Sequence, residues 1–251
     1  MASVCARGLG PLPEVRAGDD LAELIAGTVL GAELRDGQLI VIAHKVVSKS
    51  EGTVAVLADV TPSGRAEELA ASQDRDPRAV QVVLDESAEI LRAERGVLIC
   101  RTRHGFVCAN AGVDASNSAD SGTMILLPRD PDASARRIRE RLHELTGACV
   151  GVLITDSFGR AWRHGQSDVA IGLAGMQPLE DWRGRTDAQG MELRATWIAV
   201  ADAAAAIADL ARAKDSREPV VLLEGLERYV TAQDGPGAVE LLRSLDEDLF
   251  R

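Results

Sequence analysis

Two segments of this 251-residue chain set carboxylates among hydroxyls, amides and turn-forming residues. One is Ala111-Gly112-Val113-Asp114-Ala115-Ser116-Asn117. The other is Ile154-Thr155-Asp156-Ser157-Phe158-Gly159-Arg160, followed by Ala161-Trp162-Arg163-His164-Gly165-Gln166. Asp156 beside Ser157 offers the hard oxygen donors that suit Mg²⁺ or Mn²⁺, and Asp114 could supply a second carboxylate. Arg160 and Arg163 carry the planar fork that grips phosphate or carboxylate through paired hydrogen bonds. Lys45 and Lys49 invite a phosphate reading. Plainer roles stand beside these: Asp114 and Asn117 as Asx turns, Asp156 as a loop cap, the arginines and lysines as surface charges.

Familiar signatures are absent. There is no GxxxxGK[ST] and no GxGxxG after a strand, so any nucleotide is held some other way. A GxSxG elbow is missing, which argues against serine hydrolase chemistry. His44, His104, His143 and His164 show no metal-ligand spacing such as HExxH. The four cysteines form no CxxC pair, which removes zinc-finger and thioredoxin-like readings.

These residues need elements to position them. Asp19 or Asp20 could cap a helix with Leu21, Leu24 and Ile25 on its buried side. Leu39 to Ala43 reads as a buried strand, followed closely by the two lysines. Residues 59–76 read as polar and partly helical. A helix is predicted from Pro77 to Gly96, with Val80, Val83, Leu84, Ser87, Ile90 and Leu91 at helical spacing. Two short strands then flank a tight turn at His104-Gly105, bringing Cys100 and Cys108 near each other. TMILLP is a strand. Asp130-Pro131 opens a helix that Gly147 closes, and its Arg136, Arg137, Arg139 and Arg141 read as a solvated face. CVGVLITD is the best-defined strand. It ends in a loop, SFGRAWRHGQSD, and resumes in VAIGLAG, so Asp156 stands at a strand end, where open α/β sheets bind ligands. Residues 191–197 read as a strand, VADAAAAIADLARA as a closely packing helix and PVVLLEG as a final strand. The fold class is α/β or α+β, its irregular order arguing against a plain βαβ array. No repeat or linker divides residues 1–251.

The formal net charge of −11 argues against a nonspecific nucleic-acid binder. A hydrophobic content of 46% is ordinary for a globular protein. With no apolar h-region and no stretch long enough to span a bilayer, the expectation is a soluble cytoplasmic protein without membrane association.

In order along nearly the whole chain, LPEVRAGDDLAELI, VVSKSEG, LDESAEIL, AGVDASN, LLPRDPDASARRIRERL, ITDSFGRAWRHGQSDVAIG, DWRGRTDAQGMEL and VADAAAAIADL resemble the F420-0:gamma-glutamyl ligase family. The resemblance implies a family-specific fold, an intertwined homodimer of two-subdomain protomers with the site in an interface groove. It implies GTP-dependent addition of L-glutamate to coenzyme F420-0 and F420-1 through an acyl phosphate. Two divalent cations, Mg²⁺ or Mn²⁺, are implied, with K⁺ as a further candidate. Asp114 and Asp156 become metal ligands. Ser157 stands where the family usually has a threonine that helps to hold the second cation. GTP contacts fall on Pro11, Leu12, Pro13, Glu14, Lys45, Lys49 and Asn117. His44 is placed with them, although a small hydroxyl residue is usual there. Arg160 and Arg163 would orient a substrate carboxylate. The segment 212–218 departs from relatives that carry a glycine-rich stretch with an acidic metal ligand, Lys214 or Asp215 taking that place here. Some relatives carry a nitroreductase-like domain after the ligase, whereas residues 1–251 read as the ligase unit alone. The alternatives are a non-catalytic protein that binds a deazaflavin or nucleotide, and an amide ligase with another acceptor.

Overall fold

The computed structural model describes residues 3–114, 122–213 and 215–248. In chain order they form β1 (Cys5–Gly8), α1 (Leu21–Ala26), β2 (Leu39–Ala43), α2 (His44–Ser50), β3 (Val54–Val56), α3 (Gly64–Gln73), α4 (Pro77–Asp85), β4 (Ser87–Glu94), β5 (Val97–Thr102), β6 (Val107–Ala109), β7 (Thr123–Ile125), α5 (Pro131–Thr146), β8 (Gly151–Arg160), β9 (Arg163–Ala174), β10 (Leu179–Asp181), β11 (Trp197–Ala199), α6 (Val200–Ala211) and β12 (Val220–Glu224). The mixed α and β content agrees with the fold class expected from the sequence.

The largest sheet is five-stranded, in the order β1-β12-β2-β8-β9, and only β2 and β8 run parallel. Its central strands are apolar on both faces, as strands covered from both sides must be. Ile40, Ile42, Val152, Ile154 and Leu222 face one layer, with Leu21 and Ile25 of α1 and Ile138 and Leu142 of α5. Leu39, Val41, Leu153, Val221 and Leu223 face the other, against Ala201, Ala204, Ala205 and Ala208 of α6. The small residues of α6 let its backbone lie close to the sheet. A second core joins Ala66 and Ala70 of α3, Val80 and Val83 of α4, and Leu98 and Cys100 of β5. It belongs to the three-stranded β4-β5-β6 sheet. Phe106 and Phe158 meet edge-on at 6.2 Å, tying that unit to β8.

Helix α5 begins as expected, with the Asp130 carboxylate accepting from the Ala133 N–H at 2.9 Å and Gly147 closing the helix at φ 74°. Its arginines are not simply a solvated face. Arg137 pairs with Glu51, Arg139 with Asp234 and Arg141 with Asp20. Arg139 also donates to the carbonyls of Val150 and Thr231, which fastens the helix to the start of β8.

Three expectations need correction. The helix from Pro77 stops at Asp85, and Ser87, Ile90 and Leu91 lie in strand β4. Arg95 and Gly96 both adopt positive φ, a turn that folds the chain back as a hairpin and pairs 87–94 with β5. The stretch after Asp156 is not a loop: β8 and β9 continue as a hairpin to a tip at Ala161 and Trp162. That tip is exposed on both sides, so it lacks the alternation that marks a half-buried strand. The strand expected at 191–197 is a turn-rich segment, and β11 begins only at Trp197. The opening segment also contributes β1, which pairs with β12.

Cys100 and Cys108 are directly opposed across β5 and β6, and both are buried free thiols. Burial first, then the nearby Asp156 charge, pushes the Cys108 thiol up to about 12. At pH 8 about one part in ten thousand of such a thiol is thiolate, the reactive form. Cys5 and Cys149 are exposed. A thiol-reagent titration of the native protein at pH 8 should therefore show two fast groups, with the other two appearing only on denaturation. Rapid labelling of Cys108 in the folded protein would contradict this burial.

Candidate active site

In-register pairing of β2 with β8 sets Ala43 beside Thr155. The residues that follow, His44 at the start of α2 and Asp156 in β8, emerge side by side. A register shift against β9 between Ile154 and Thr155 interrupts the pleat there, a device that re-aims side chains. Beside these residues lies a cavity of about 570 Å³, walled by Leu12 to Val15, by α2, and by Arg212, Ala213, Asp215 and Arg217 to Pro219.

Its charges come in opposed pairs. Lys45 Nζ stands 2.6 Å from Asp114 Oδ2, and Lys49 Nζ stands 2.6 Å from Glu14 Oε1. At the floor, Asp168 is 2% exposed and accepts three hydrogen bonds: from Thr155 Oγ1 at 2.8 Å, Ser157 Oγ at 2.6 Å and Arg212 Nη1 at 3.0 Å. Burial pulls the Arg212 guanidinium below its ordinary value, while the Asp168 charge opposes that shift. A buried pair of this kind is costly to break from one side, because the charge left behind has neither water nor partner. Asp156 accepts the Ser157 backbone N–H at 2.8 Å through Oδ1, and His44 Nε2 lies 3.3 Å from that same oxygen.

No three His, Cys, Asp or Glu side chains among the described residues form a cluster suited to a metal. Mg²⁺ does not need one, since it is commonly held by one or two carboxylates together with waters and phosphate oxygens. Asp156, the Ser157 hydroxyl and Asp114 are hard oxygen donors of the kind such a cation takes.

Of the residues singled out in the sequence, Leu12, Pro13, Glu14, His44, Lys45, Lys49, Asp156 and Ser157 line the cavity, as does Asp215. Asp114 joins it through Lys45. Pro11 is exposed beside the lining residues. Arg160 and Arg163 stand at the exposed hairpin tip, outside the lining, and Arg160 donates to the His164 carbonyl. Asn117 and Lys214 fall outside the described residues. Asp168 and Arg212 were missed. Asp168 follows a run of polar residues that reads as loop, and its burial emerges only once the β8–β9 hairpin is formed.

A profile of the family described as F420-0:Gamma-glutamyl ligase matches residues 10–225. The chain is 46% identical over 246 residues to a Methanopyrus kandleri protein named Coenzyme F420:L-glutamate ligase, covering 96% of each. It is 43% identical to the protein of that name from Methanothermobacter thermautotrophicus, covering 97% of each. Against the Halobacterium salinarum protein of that name it is 42% identical, covering 96% of this chain and 92% of the relative.

Asp168→Ala strands a buried guanidinium and should destabilise the fold by about 3–5 kcal/mol in urea titration. Adding Arg212→Met should restore part of that loss. Strictly additive losses in the double variant would show that the two groups are not coupled.

Proposed function

The chain belongs to the F420-0:gamma-glutamyl ligase family, and on that premise we propose that it is a ligase that joins L-glutamate to the tail of coenzyme F420-0, and again to F420-1, at the expense of GTP. The observation that carries this reading is the juxtaposition in one cavity of two lysines of α2, Lys45 and Lys49, with Asp156 and Ser157 of β8.

A carboxylate is a poor acylating agent near neutral pH. Transfer of the γ-phosphoryl group of GTP to the acceptor carboxylate gives an acyl phosphate and GDP. Attack by the glutamate amine then forms the amide and releases phosphate. Lys45 and Lys49 contribute fixed positive charge to the triphosphate, Lys49 exchanging Glu14 for a phosphate oxygen. Asp156, Ser157 and Asp114 would hold Mg²⁺ or Mn²⁺, whose charge counters that of the phosphates. The Asp168 and Arg212 pair holds the Ser157 hydroxyl in place through the 2.6 Å hydrogen bond. Positioning and electrostatics then suffice, with no covalent enzyme intermediate. The reading includes a homodimer, for which exposed Met191, Trp197 and Ile198 offer apolar surface.

Incubation of F420-0 with the protein, L-glutamate, GTP and Mn²⁺ should add glutamyl units stepwise by mass spectrometry, and omission of GTP or addition of a chelator should abolish the change. No mass gain from the folded protein would overturn the reading. Asp156→Asn should lose at least about a hundredfold in kcat/KM while melting within a few degrees of the parent. Near-normal turnover of that variant at low metal would remove Asp156 from the site.

A further inference from the structure

His44 is the buried polar group in the cavity wall that the chemistry above leaves without a task. Its side chain is 2% exposed, and Nε2 has no hydrogen-bond partner. An unsatisfied polar atom at such depth costs stability unless something completes it. On the far side of the ring, Nδ1 lies 3.4 Å from the hydroxyl of Ser48, one turn further along α2 and fully buried. With Nδ1–H donating to Ser48 Oγ, the other ring nitrogen presents a lone pair. In that tautomer the lone pair lies beside Asp156 Oδ1, 3.3 Å from Nε2, without pointing straight at it, and Oδ1 is itself electron-rich. A proton on Nε2 would relieve that contact but is not aimed at Oδ1, whereas a cation beside both atoms satisfies the two together. The spacing suits a shared ion: two donors on perpendicular bonds of about 2.1 Å stand about 3.0 Å apart. A neutral imidazole, its tautomer set by a hydrogen bond from the opposite nitrogen, is the usual form of a metal-binding histidine.

We propose that His44 Nε2 is a nitrogen ligand of the divalent cation held by Asp156, which makes this a mixed nitrogen–oxygen site that favours a first-row transition ion such as Mn²⁺ over Mg²⁺. The inference rests on the reading of Asp156 as a cation ligand. Mg²⁺ strongly prefers oxygen and keeps its waters, whereas imidazole suits first-row transition ions. His44 therefore sets which ion the cavity selects, in addition to any contact its backbone makes with a nucleotide.

The test is pulsed electron paramagnetic resonance of the protein loaded with Mn²⁺ alone, prepared with ordinary and with ¹⁵N-labelled histidine. A nitrogen coupling that changes with the label, and is lost in His44→Ser, is expected. Equilibrium titration of His44→Ser should show Mn²⁺ affinity falling about tenfold, with Mg²⁺ affinity changing by less than about twofold. Mn²⁺ that binds, is lost in Asp156→Asn and shows no histidine coupling would overturn the proposal while leaving Asp156 as a ligand. Mn²⁺ binding that is absent, or indifferent to Asp156→Asn, would overturn both. The spectrum of the unaltered protein decides the matter even where a His44 variant folds poorly.

Discussion

Parallel pairing of β2 with β8 governs where the charged groups of the cavity can stand. Where they pair, over Leu39–Ile42 and Gly151–Ile154, both strands are buried on both faces, so neither can slide by a residue without driving apolar side chains into the wrong layer. Their register therefore brings Ala43 and Thr155 level and delivers His44, Lys45, Asp156 and Ser157 to one edge of the sheet. Helix α2 turns Lys45 and Lys49 onto the same wall. Helices α5 and α6 cover the two faces of the sheet behind this edge. Ionisable groups placed on such a base can be spaced for binding without relying on a mobile loop.

Electrostatics then shapes what that edge can accept. Lys45, Lys49 and Arg212 each stand beside a carboxylate: Asp114, Glu14 and Asp168 respectively. The first two pairs are partly exposed, and in the proposed reading a polyanion takes over the lysines while a cation takes over Asp114. The third is buried and behaves as framework. This division makes the proposed polyphosphate site compatible with a net charge of −11. The local balance of charge within reach of the ligand decides binding, and the overall sum bears mainly on solubility.

Much of this was legible in the sequence where a physical signal was strong and local. The apolar run Leu39–Ala43, the Asp130-Pro131 start and Gly147 end of α5, and the alanine-rich α6 announced themselves through hydrophobicity, capping and propensity. Asp156, Ser157 and the two lysines stood out because their types and neighbours suggested chemistry. What escaped depends on distant partners. Residues 87–94 have helical spacing, yet the Arg95-Gly96 turn and β5 claim them as a strand. Asp168 looks like one more polar residue until the hairpin buries it against Thr155, Ser157 and Arg212, the last of these 44 residues away in sequence. Arg160 and Arg163 stand outside the cavity lining of this chain. Their proximity to Asp156 in sequence suggested a shared site, whereas extended strands carry them out to the hairpin tip.

The central claim is that this cavity holds a triphosphate together with a cation, with the lysines and the carboxylates acting on one ligand. Calorimetric titration of a non-hydrolysable GTP analogue, with and without Mn²⁺, tests it most directly. The account predicts binding at least about tenfold tighter with the cation present, because the ion must offset the carboxylates that face the phosphates. Equal affinity without the cation, or no binding under either condition, would contradict it.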